Sequence, residues 1–283
     1  MTVFLSFRSQ PVGGAVTGPT VLRGDGTLSP LALTPVSALE LVSTIAGKNI
    51  LFAVHGFNVS MEAGARSLGQ LEPQLGLTAN DVFIAVLWPG DYWLPVVNYP
   101  FEGDPSMECG RSLAQFCASS LDRAQSLSFL SHSLGARLVL EAVKNLRRRA
   151  RLVCLTAAAI NQDCLGTEYA AAAANSDAIS ILASHEDMVL KYAFPVGDPI
   201  ADLLHEDHKL FESALGYDGP PPPAPPPISS PWQIPDAYAY GHGDYLPPGD
   251  RVQRGQAFAD AKWVRVAQFV SSAFMGRRQT WPS

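Results

Sequence analysis

One stretch of the chain constrains its fold more than any other, because a strand-like apolar run stops at a serine and a helical pattern begins at once. The stretch is 127–135, with the sequence LSFLSHSLG. Ser133 has a small residue two positions away on either side, Ser131 and Gly135, so the stretch is close to the G-x-S-x-G turn. In that turn a strand and a helix pass close together and hold the middle serine at the tip. Helix N-terminal amides also point towards the serine and favour negative charge there.

The same residues fit a simpler interpretation, in which a strand and a serine-rich turn lead to a capped helix. Serine is a good N-cap, so a cap alone could explain Ser133. A nucleophilic serine, by contrast, needs a base, an acid and an oxyanion donor elsewhere in the chain. The remaining sequence therefore decides between the two interpretations.

The size and charge of the chain exclude several classes of function. Its 283 residues are 47% hydrophobic and 16% charged, which suits one large domain, 1–283, with a sizeable core. The net charge of -6 offers no basic surface, so no nucleic-acid partner is expected. No apolar run is long enough to span a membrane. The segment 1–8 lacks the features of a signal peptide, so we expect a first strand and a cytoplasmic protein.

The four cysteines do not follow a metal-binding or disulfide pattern. Cys109, Cys117, Cys154 and Cys164 form no C-x-x-C pair. The spacing favours reduced, partly buried thiols, with one disulfide as the alternative, and it predicts no metal site.

Short apolar runs alternate with helical patterns through most of the chain. The predicted strands include 49–54, 81–88, the run before Ser133, 152–156 and 178–183. The predicted helices are 36–45 with Thr34 as N-cap and Pro35 next, 60–75, 105–121, the segment after Gly135, 169–174 and 253–274. This alternation predicts an α/β fold with a mostly parallel central sheet and helices on both faces. Active sites in such sheets lie at the carboxyl ends of the strands.

Residues 195–240 interrupt the alternation and predict an irregular, proline-rich insertion within the domain. The densest run of prolines lies between Gly219 and Pro231 and must be extended chain. The simplest interpretation is a stiff loop over the surface. The alternatives are a lid or rim over the active site, or a ligand for a proline-binding partner.

An acid is expected after a late strand, because one established chain order for such sites is serine, acid, histidine. Asp187 follows the predicted strand 178–183 and is the candidate. It could instead serve only as the N-cap of the next helix. Glu186 is the nearest rival, because a one-residue shift of the loop would exchange the two carboxylates.

The base is expected in a loop before the last helix. His242 lies between glycines in such a loop, where packing gives little reason for a histidine. An ordinary exposed loop histidine is the alternative. His205 and His208 are rivals, but their surroundings read as a solvent-exposed helix.

Two backbone amides are predicted to form the oxyanion hole. One is that of Leu134, and the other is that of Phe57, in the loop after the strand that ends at Val54. His55 is expected to brace this loop, and Gly56 to permit a sharp turn. Asn58 is expected to cap the next helix or to tie down the loop.

Aromatic residues at or just past strand ends predict an apolar substrate pocket. Trp88, Tyr92 and Trp93 are candidates together with the loop residues His55 and Asn58, although Trp88 could simply pack the core. His132 precedes the serine, so its side chain is expected to point away from it and to serve packing.

The chain resembles the serine α/β-hydrolase superfamily, and within it a bacterial group of largely uncharacterised function. The matching features are the H-G-F-N loop, a strand ending in Trp-Pro, the S-H-S-x-G turn, an acid after a late strand and a late histidine followed by tyrosine. Here these are 55–58, 88–89, 131–135, Asp187, and His242 with Tyr245, spread over roughly residues 48 to 250. The resemblance implies the α/β-hydrolase fold and a triad of Ser133, Asp187 and His242.

The combined features predict a carboxylic ester hydrolase that works through an acyl-enzyme, without a cofactor or metal. A small-molecule ester with a small to medium acyl group is the expected substrate. A lipase, an amidase or thioesterase, or an acyltransferase with the same triad are alternatives, and so is a non-catalytic binding module. A dehalogenase or epoxide hydrolase with an aspartate nucleophile is disfavoured, because the residue at the turn is serine.

Overall fold

The fold is given by a computed structural model that describes most of the chain. The described residues are 1–91, 105–196, 213–224, 226–229, 231–277, 279 and 281, and the side chains of 193–196 are not described. No helix in these ranges is long and apolar enough to cross a membrane.

A nine-stranded sheet lies at the centre of the part of the chain that the structure describes. Its strands are β1 (Thr2–Arg8), β2 (Val16–Asp25), β3 (Ala32–Pro35), β4 (Asn49–Val54), β5 (Asp81–Leu87), β6 (Ser126–His132), β7 (Leu152–Thr156), β8 (Ile179–Leu182) and β9 (Ile228–Ser229). They are arranged in the order β3-β2-β1-β5-β4-β6-β7-β8-β9. Strand β2 is antiparallel to both β1 and β3, whereas every adjacent pair from β1 to β9 in that order is parallel. The predicted mostly parallel sheet is confirmed.

Helices cover both faces of this sheet, as predicted. They are α1 (Ala38–Ile45), α2 (Met61–Leu71), α3 (Pro105–Ser120), α4 (Gly135–Asn145), α5 (Ala170–Ala174), α6 (Met188–Val196), α7 (Leu215–Asp218), α8 (Gly255–Ala259) and α9 (Lys262–Phe274). Helices α1, α3, α4 and α5 pack on one face, and α2 and α9 pack on the other. Successive strand residues serve opposite faces: Phe52 joins the first core, and Leu51 and Ala53 join the second. Because both faces of the central strands are buried, strands such as β4 and β7 read as nearly continuous apolar runs.

The order of the strands creates a crevice between the ends of β4 and β6. These two strands are neighbours, but the helices that follow them, α2 and α4, pack on opposite faces of the sheet. Loops that leave adjacent strands towards opposite faces open a crevice at the carboxyl edge, and ligands of α/β sheets bind there. The loop after β4 begins at His55, and Ser133 follows β6. The topology therefore places the two loops singled out from the sequence side by side.

Helix α1 begins later than predicted. Its N-cap is Ser37, whose side chain accepts a hydrogen bond from the Glu40 amide at 3.2 Å. Thr34 and Pro35, predicted as the cap and first residue, belong to β3, where Thr34 pairs with Arg23 of β2. The prediction was wrong because pairing with a strand earlier in the chain outweighs the local Thr-Pro signal.

The predicted C-terminal helix 253–274 is two helices. Helix α8 ends at Ala259, and α9 starts after Ala261, whose backbone is extended with φ -69° and ψ 124°. Phe258 packs edge-on against Trp263 at 5.5 Å, and Trp263 is buried. Apolar spacing alone could not reveal this break, because both pieces present apolar residues to the same core.

Part of the proline-rich segment is built into the edge of the sheet. The Ile179 amide donates a hydrogen bond to the Pro227 carbonyl at 2.9 Å, and the Ala183 amide donates one to the Trp232 carbonyl at 2.8 Å. The chain after Pro226 thus extends the ladder beside β8. The predicted lid or rim remains a prediction, because residues 197–212 lie outside the described ranges.

Candidate active site

Ser133 lies in a backbone conformation that few residues other than glycine adopt. Its φ is 54°, and its amide donates a hydrogen bond to the Thr156 carbonyl of β7 at 3.0 Å. A strained residue of this kind persists only where its surroundings hold it, which is typical of active sites. Glycine is required at position 135, two residues later, because a Cβ there would lie 2.6 Å from the His55 carbonyl oxygen. Helix α4 therefore begins close against the end of β4, the strand beside the one that leads into the turn.

Three side chains from distant parts of the chain form one hydrogen-bonded row. Ser133 Oγ lies 2.9 Å from His242 Nε2, and His242 Nδ1 lies 2.8 Å from Asp187 Oδ2. The Asp187 side chain is fully buried, whereas that of His242 is 20% exposed. A carboxylate accepts the proton of Nδ1, which leaves Nε2 free to accept the serine proton.

Asp187 has two structural duties. Its Oδ2 faces His242, and its Oδ1 accepts the Leu190 amide at 3.0 Å, which caps helix α6. The two interpretations offered for this residue are therefore compatible. Glu186 is exposed. His205 and His208, the rival bases, lie outside the described residues.

The loop that carries His242 is tied to helix α9. The Asp244 carboxylate accepts the Gly241 amide and the Lys262 ammonium, both at 2.9 Å. Lys262 also donates to the Ala239 carbonyl at 2.6 Å. These bonds fix the short turn 242–244 against α9.

The loop after β4 touches the serine. A Cβ added to Gly56 would lie 3.0 Å from Ser133 Cβ, so only glycine allows the loop to come this close. This corrects the sequence-based reason for Gly56, whose φ is not positive. The amides of Phe57 and Leu134 donate no hydrogen bond to any residue in the described part of the chain. They remain the predicted donors for an oxyanion.

Asn58 does not cap helix α2. That duty belongs to Ser60, whose side chain accepts the Ala63 amide. Asn58 is exposed and adopts a φ of 57°. Its backbone amide donates a hydrogen bond to the Gly90 carbonyl at 2.8 Å. It therefore ties the loop after β4 to the loop after β5, which is the second of the two roles predicted for it.

His55 and Trp88 lie behind this loop. Each is 1% exposed, and their rings are stacked with centroids 5.9 Å apart. Trp88 Nε1 donates to the His55 carbonyl at 2.9 Å, and His55 Nδ1 donates to that of Gly56 at 2.8 Å. The pair braces the loop, and its burial does not fit the prediction that it lines the substrate pocket. Tyr92 and Trp93, also predicted to line the pocket, lie outside the described residues.

A buried ion pair supports the same loop, and the sequence did not reveal it. Arg8 at the end of β1 meets Asp91 at 2.6 Å, with their side chains 0% and 8% exposed. The guanidinium also donates to the carbonyls of Pro11 and Val59. A charged residue that ends the apolar strand 2–8 is the one available signal, because buried arginines are usually paired.

The burial of His55 predicts a pH-dependent stability. Burial lowers its pKa to about 4 from an ordinary value of 6.5. The unfolded chain therefore binds the proton first, and stability falls as the pH drops from about 6.5 towards 4. At pH 5 the residue should cost about 2 kcal/mol relative to pH 7. Urea unfolding at both pH values should show a loss in the wild type that exceeds the loss in His55→Gln by about this amount.

The matched control for that comparison is Asn175→Leu, which removes side-chain hydrogen bonds to the carbonyls of Val143 and Leu146 but no group that titrates between pH 5 and 7. We expect it to lower the free energy of unfolding by the same amount at both pH values. Equal pH dependence in the wild type and in His55→Gln would contradict the assignment to His55.

The sequence-based expectation for His132 is wrong. Its side chain does not point away from the site, because Nε2 lies 2.8 Å from the His242 carbonyl oxygen and the two rings are 4.9 Å apart. Adjacency in sequence to Ser133 gave no sign of this contact, which joins residues far apart in the chain.

The described residues contain no group of three or more His, Cys, Asp and Glu side chains that could hold a metal ion. Their polar groups offer different chemistry: a serine hydroxyl beside an imidazole that a carboxylate orients. Such an arrangement can remove a proton from the hydroxyl and return it to another atom.

A match to a protein family agrees with this fold. Residues 37–202 match the family described as alpha/beta hydrolase of unknown function (DUF900). No curated protein matches the chain. Among solved structures, the carboxyl esterase 2 from the mycorrhizal fungus Tuber melanosporum is 16% identical, with a TM-score of 0.35. The alignment covers 72% of this chain and 55% of that chain, so the chain spans about half the length of that structure, and a likeness this distant bears on neither fold nor function. The family match extends over more than half of the sequence, and the chain therefore belongs to this family of α/β hydrolases.

Proposed function

We propose that this protein is a carboxylic ester hydrolase in which Ser133 is the nucleophile. The observation that carries the proposal is the row from Ser133 Oγ through His242 to Asp187, with spacings of 2.9 and 2.8 Å. A serine that only caps a helix needs neither partner. The positive φ of Ser133 adds support, because strain of this kind is rarely kept without a function.

Acylation begins when Ser133 Oγ attacks the ester carbonyl carbon and His242 Nε2 takes the hydroxyl proton. Asp187 holds Nδ1 and stabilises the resulting imidazolium. The carbonyl oxygen becomes an oxyanion and accepts hydrogen bonds from the amides of Phe57 and Leu134. When the C–O bond breaks, His242 gives its proton to the departing alcohol, and the acyl group stays on Ser133.

Deacylation repeats these steps with water. His242 Nε2 removes a proton from the water, which attacks the acyl carbon. The second oxyanion collapses, the bond to Ser133 Oγ breaks, and His242 returns the proton to the serine. The products are a carboxylic acid and the free enzyme, so side chains and backbone amides supply every group that the reaction needs.

Labelling with a fluorophosphonate tests the proposed function directly. The probe phosphonylates a serine only when a base activates it, so Ser133 should be modified and identified by peptide mass. The rate of ester hydrolysis should fall in proportion to the fraction of Ser133 that is modified. Folded protein that resists the probe would favour the binding-module alternative.

A series of nitrophenyl esters tests the substrate class. We expect faster turnover of small and medium acyl chains than of long, insoluble ones. Preference for long chains would favour a lipase, and faster turnover of matched thioesters or amides would favour the thioesterase or amidase alternative. Net transfer to an added alcohol would favour an acyltransferase.

A further inference from the structure

His132 lies between the two loops that meet at Ser133, and the proposed reaction does not use it. We propose that His132 is a positioning residue that holds the His242 backbone, and through it the imidazole, at the distance from Ser133 that proton transfer requires. This inference rests on the proposed ester hydrolase function. Its basis is one hydrogen bond, the packing of one ring and the anchoring of one loop.

The hydrogen bond joins the side chain of His132 to the main chain of His242. His132 Nε2 lies 2.8 Å from the carbonyl oxygen of His242. A carbonyl oxygen can only accept, so Nε2 carries the proton. His132 therefore donates a hydrogen bond to the backbone of His242. Both ring nitrogens of His242 stay available for Ser133 and Asp187.

The chemical state of His132 suits this role. Burial and, to a smaller extent, the neighbouring His242 together lower its pKa from an ordinary value of 6.5 to about 3. The ring is consequently neutral near pH 7. It donates from Nε2 without adding a positive charge beside His242, which would oppose the formation of the imidazolium.

The other side of the ring contacts the loop after β4. A Cβ added to Gly56 would lie 3.0 Å from His132 Nδ1, so the ring rests directly on this backbone. Tyr245, which is fully buried, packs against the ring with centroids 6.1 Å apart. The imidazole is thus wedged between the loop that carries the predicted oxyanion donor and the loop that carries the base.

The anchoring of the base loop shows why one bond matters. Lys262 of α9 holds the loop through Asp244 and Ala239. The main chain of His242 itself has one hydrogen bond among the described residues, the one from His132. Losing it should let the imidazole drift from Ser133 without altering the substrate pocket. An error of about 1 Å in the position of a catalytic group can cost roughly 100-fold in rate.

The test compares two substitutions of this residue in the full chain. His132→Leu keeps bulk but has no donor, and we expect kcat to fall roughly 10- to 100-fold with little change in KM. His132→Gln keeps an N–H at a similar reach, and we expect it to recover most of the lost rate. The rate of fluorophosphonate labelling of Ser133 should follow kcat in both variants, because it reports the same activation without the ester.

Asn175→Leu is the matched control for a purely structural effect. The Asn175 amide donates to the carbonyls of Val143 and Leu146, at the end of α4 far from Ser133. Like His132→Leu, this change removes a side-chain bond to main-chain carbonyls. It should lower the melting temperature and leave kcat at the wild-type value.

The outcomes separate this inference from the proposed function. A wild type that neither hydrolyses esters nor reacts with the probe would overturn both. An active wild type with an equally active His132→Leu would overturn the positioning role alone. So would a His132→Gln variant as slow as His132→Leu, or an Asn175→Leu variant that loses as much kcat.

Discussion

Replacing Ser133 with alanine is expected to lower kcat for ester hydrolysis by about 10⁴-fold or more, because the variant lacks the atom that forms the acyl-enzyme. The oxyanion donors and the pocket survive the change, so a small residual rate over water should persist. The substitution also removes the partner of His242 Nε2, which is 2.9 Å away in the wild type. We expect the variant to fold, since no other hydrogen bond depends on this hydroxyl among the described residues.

Ser131→Ala is the matched control, as it makes the same change two residues earlier in the turn. The Ser131 hydroxyl is buried and has no hydrogen-bond partner among the described residues. Its loss should therefore leave both activity and stability close to the wild type. Steady-state kinetics and thermal melts of the two variants, with fluorophosphonate labelling, decide the matter. Near-normal hydrolysis by Ser133→Ala would show that another residue is the nucleophile.

The central strands could be predicted from the sequence because burial on both faces leaves a strong local signal. The runs 49–54 and 152–156 are strands with the predicted bounds. The signal fails where distant residues decide the structure. Thr34 reads locally as a cap but pairs with Arg23. The helix break at Ala261 has no glycine or proline in 259–262 that would have predicted it.

In the candidate site, too, some residues could be predicted from the sequence and others could not. The order of serine, acid and histidine pointed to Ser133, Asp187 and His242, and the structure brings these side chains into one row. Their catalytic roles stay a prediction. The supporting contacts could not be foreseen, because each joins elements that are remote in sequence. The Arg8–Asp91 ion pair spans 83 residues, and the His132–His242 bond spans 110.

The support of the loop after β4 bears on the predicted pocket. The sequence places His55 and Trp88 at the ends of strands near the site, which favours a role in the pocket, although it also predicts that His55 braces the loop and allows Trp88 to pack the core. The structure stacks them under the loop, with Trp88 Nε1 bonded to the His55 carbonyl. Position along a strand fixes how near a residue lies to the site, but not whether its side chain faces the substrate or the core.

Asp187→Asn is expected to lower kcat by roughly 10³- to 10⁴-fold. The amide oxygen should keep the bond from the Leu190 amide, which needs an acceptor at 3.0 Å. The NH₂ group then faces His242 Nδ1 and donates to it. This selects the tautomer with its proton on Nε2, which cannot accept the proton of Ser133. Since the cap on α6 survives, the melting temperature should change little.

Glu186→Gln is the control that decides between the two neighbouring carboxylates. Glu186 is exposed, and its one hydrogen bond among the described residues is from its backbone amide to Ser184 Oγ at 3.1 Å. We expect its variant to hydrolyse esters at the wild-type rate. Kinetics together with thermal melts would separate the two possible causes of a lower rate. A wrong tautomer lowers kcat while the folded fraction stays constant, whereas poor folding lowers the folded fraction. A larger loss from Glu186→Gln than from Asp187→Asn would transfer the acid role to Glu186 and require a different loop geometry from the one that places Asp187 Oδ2 at 2.8 Å from His242 Nδ1.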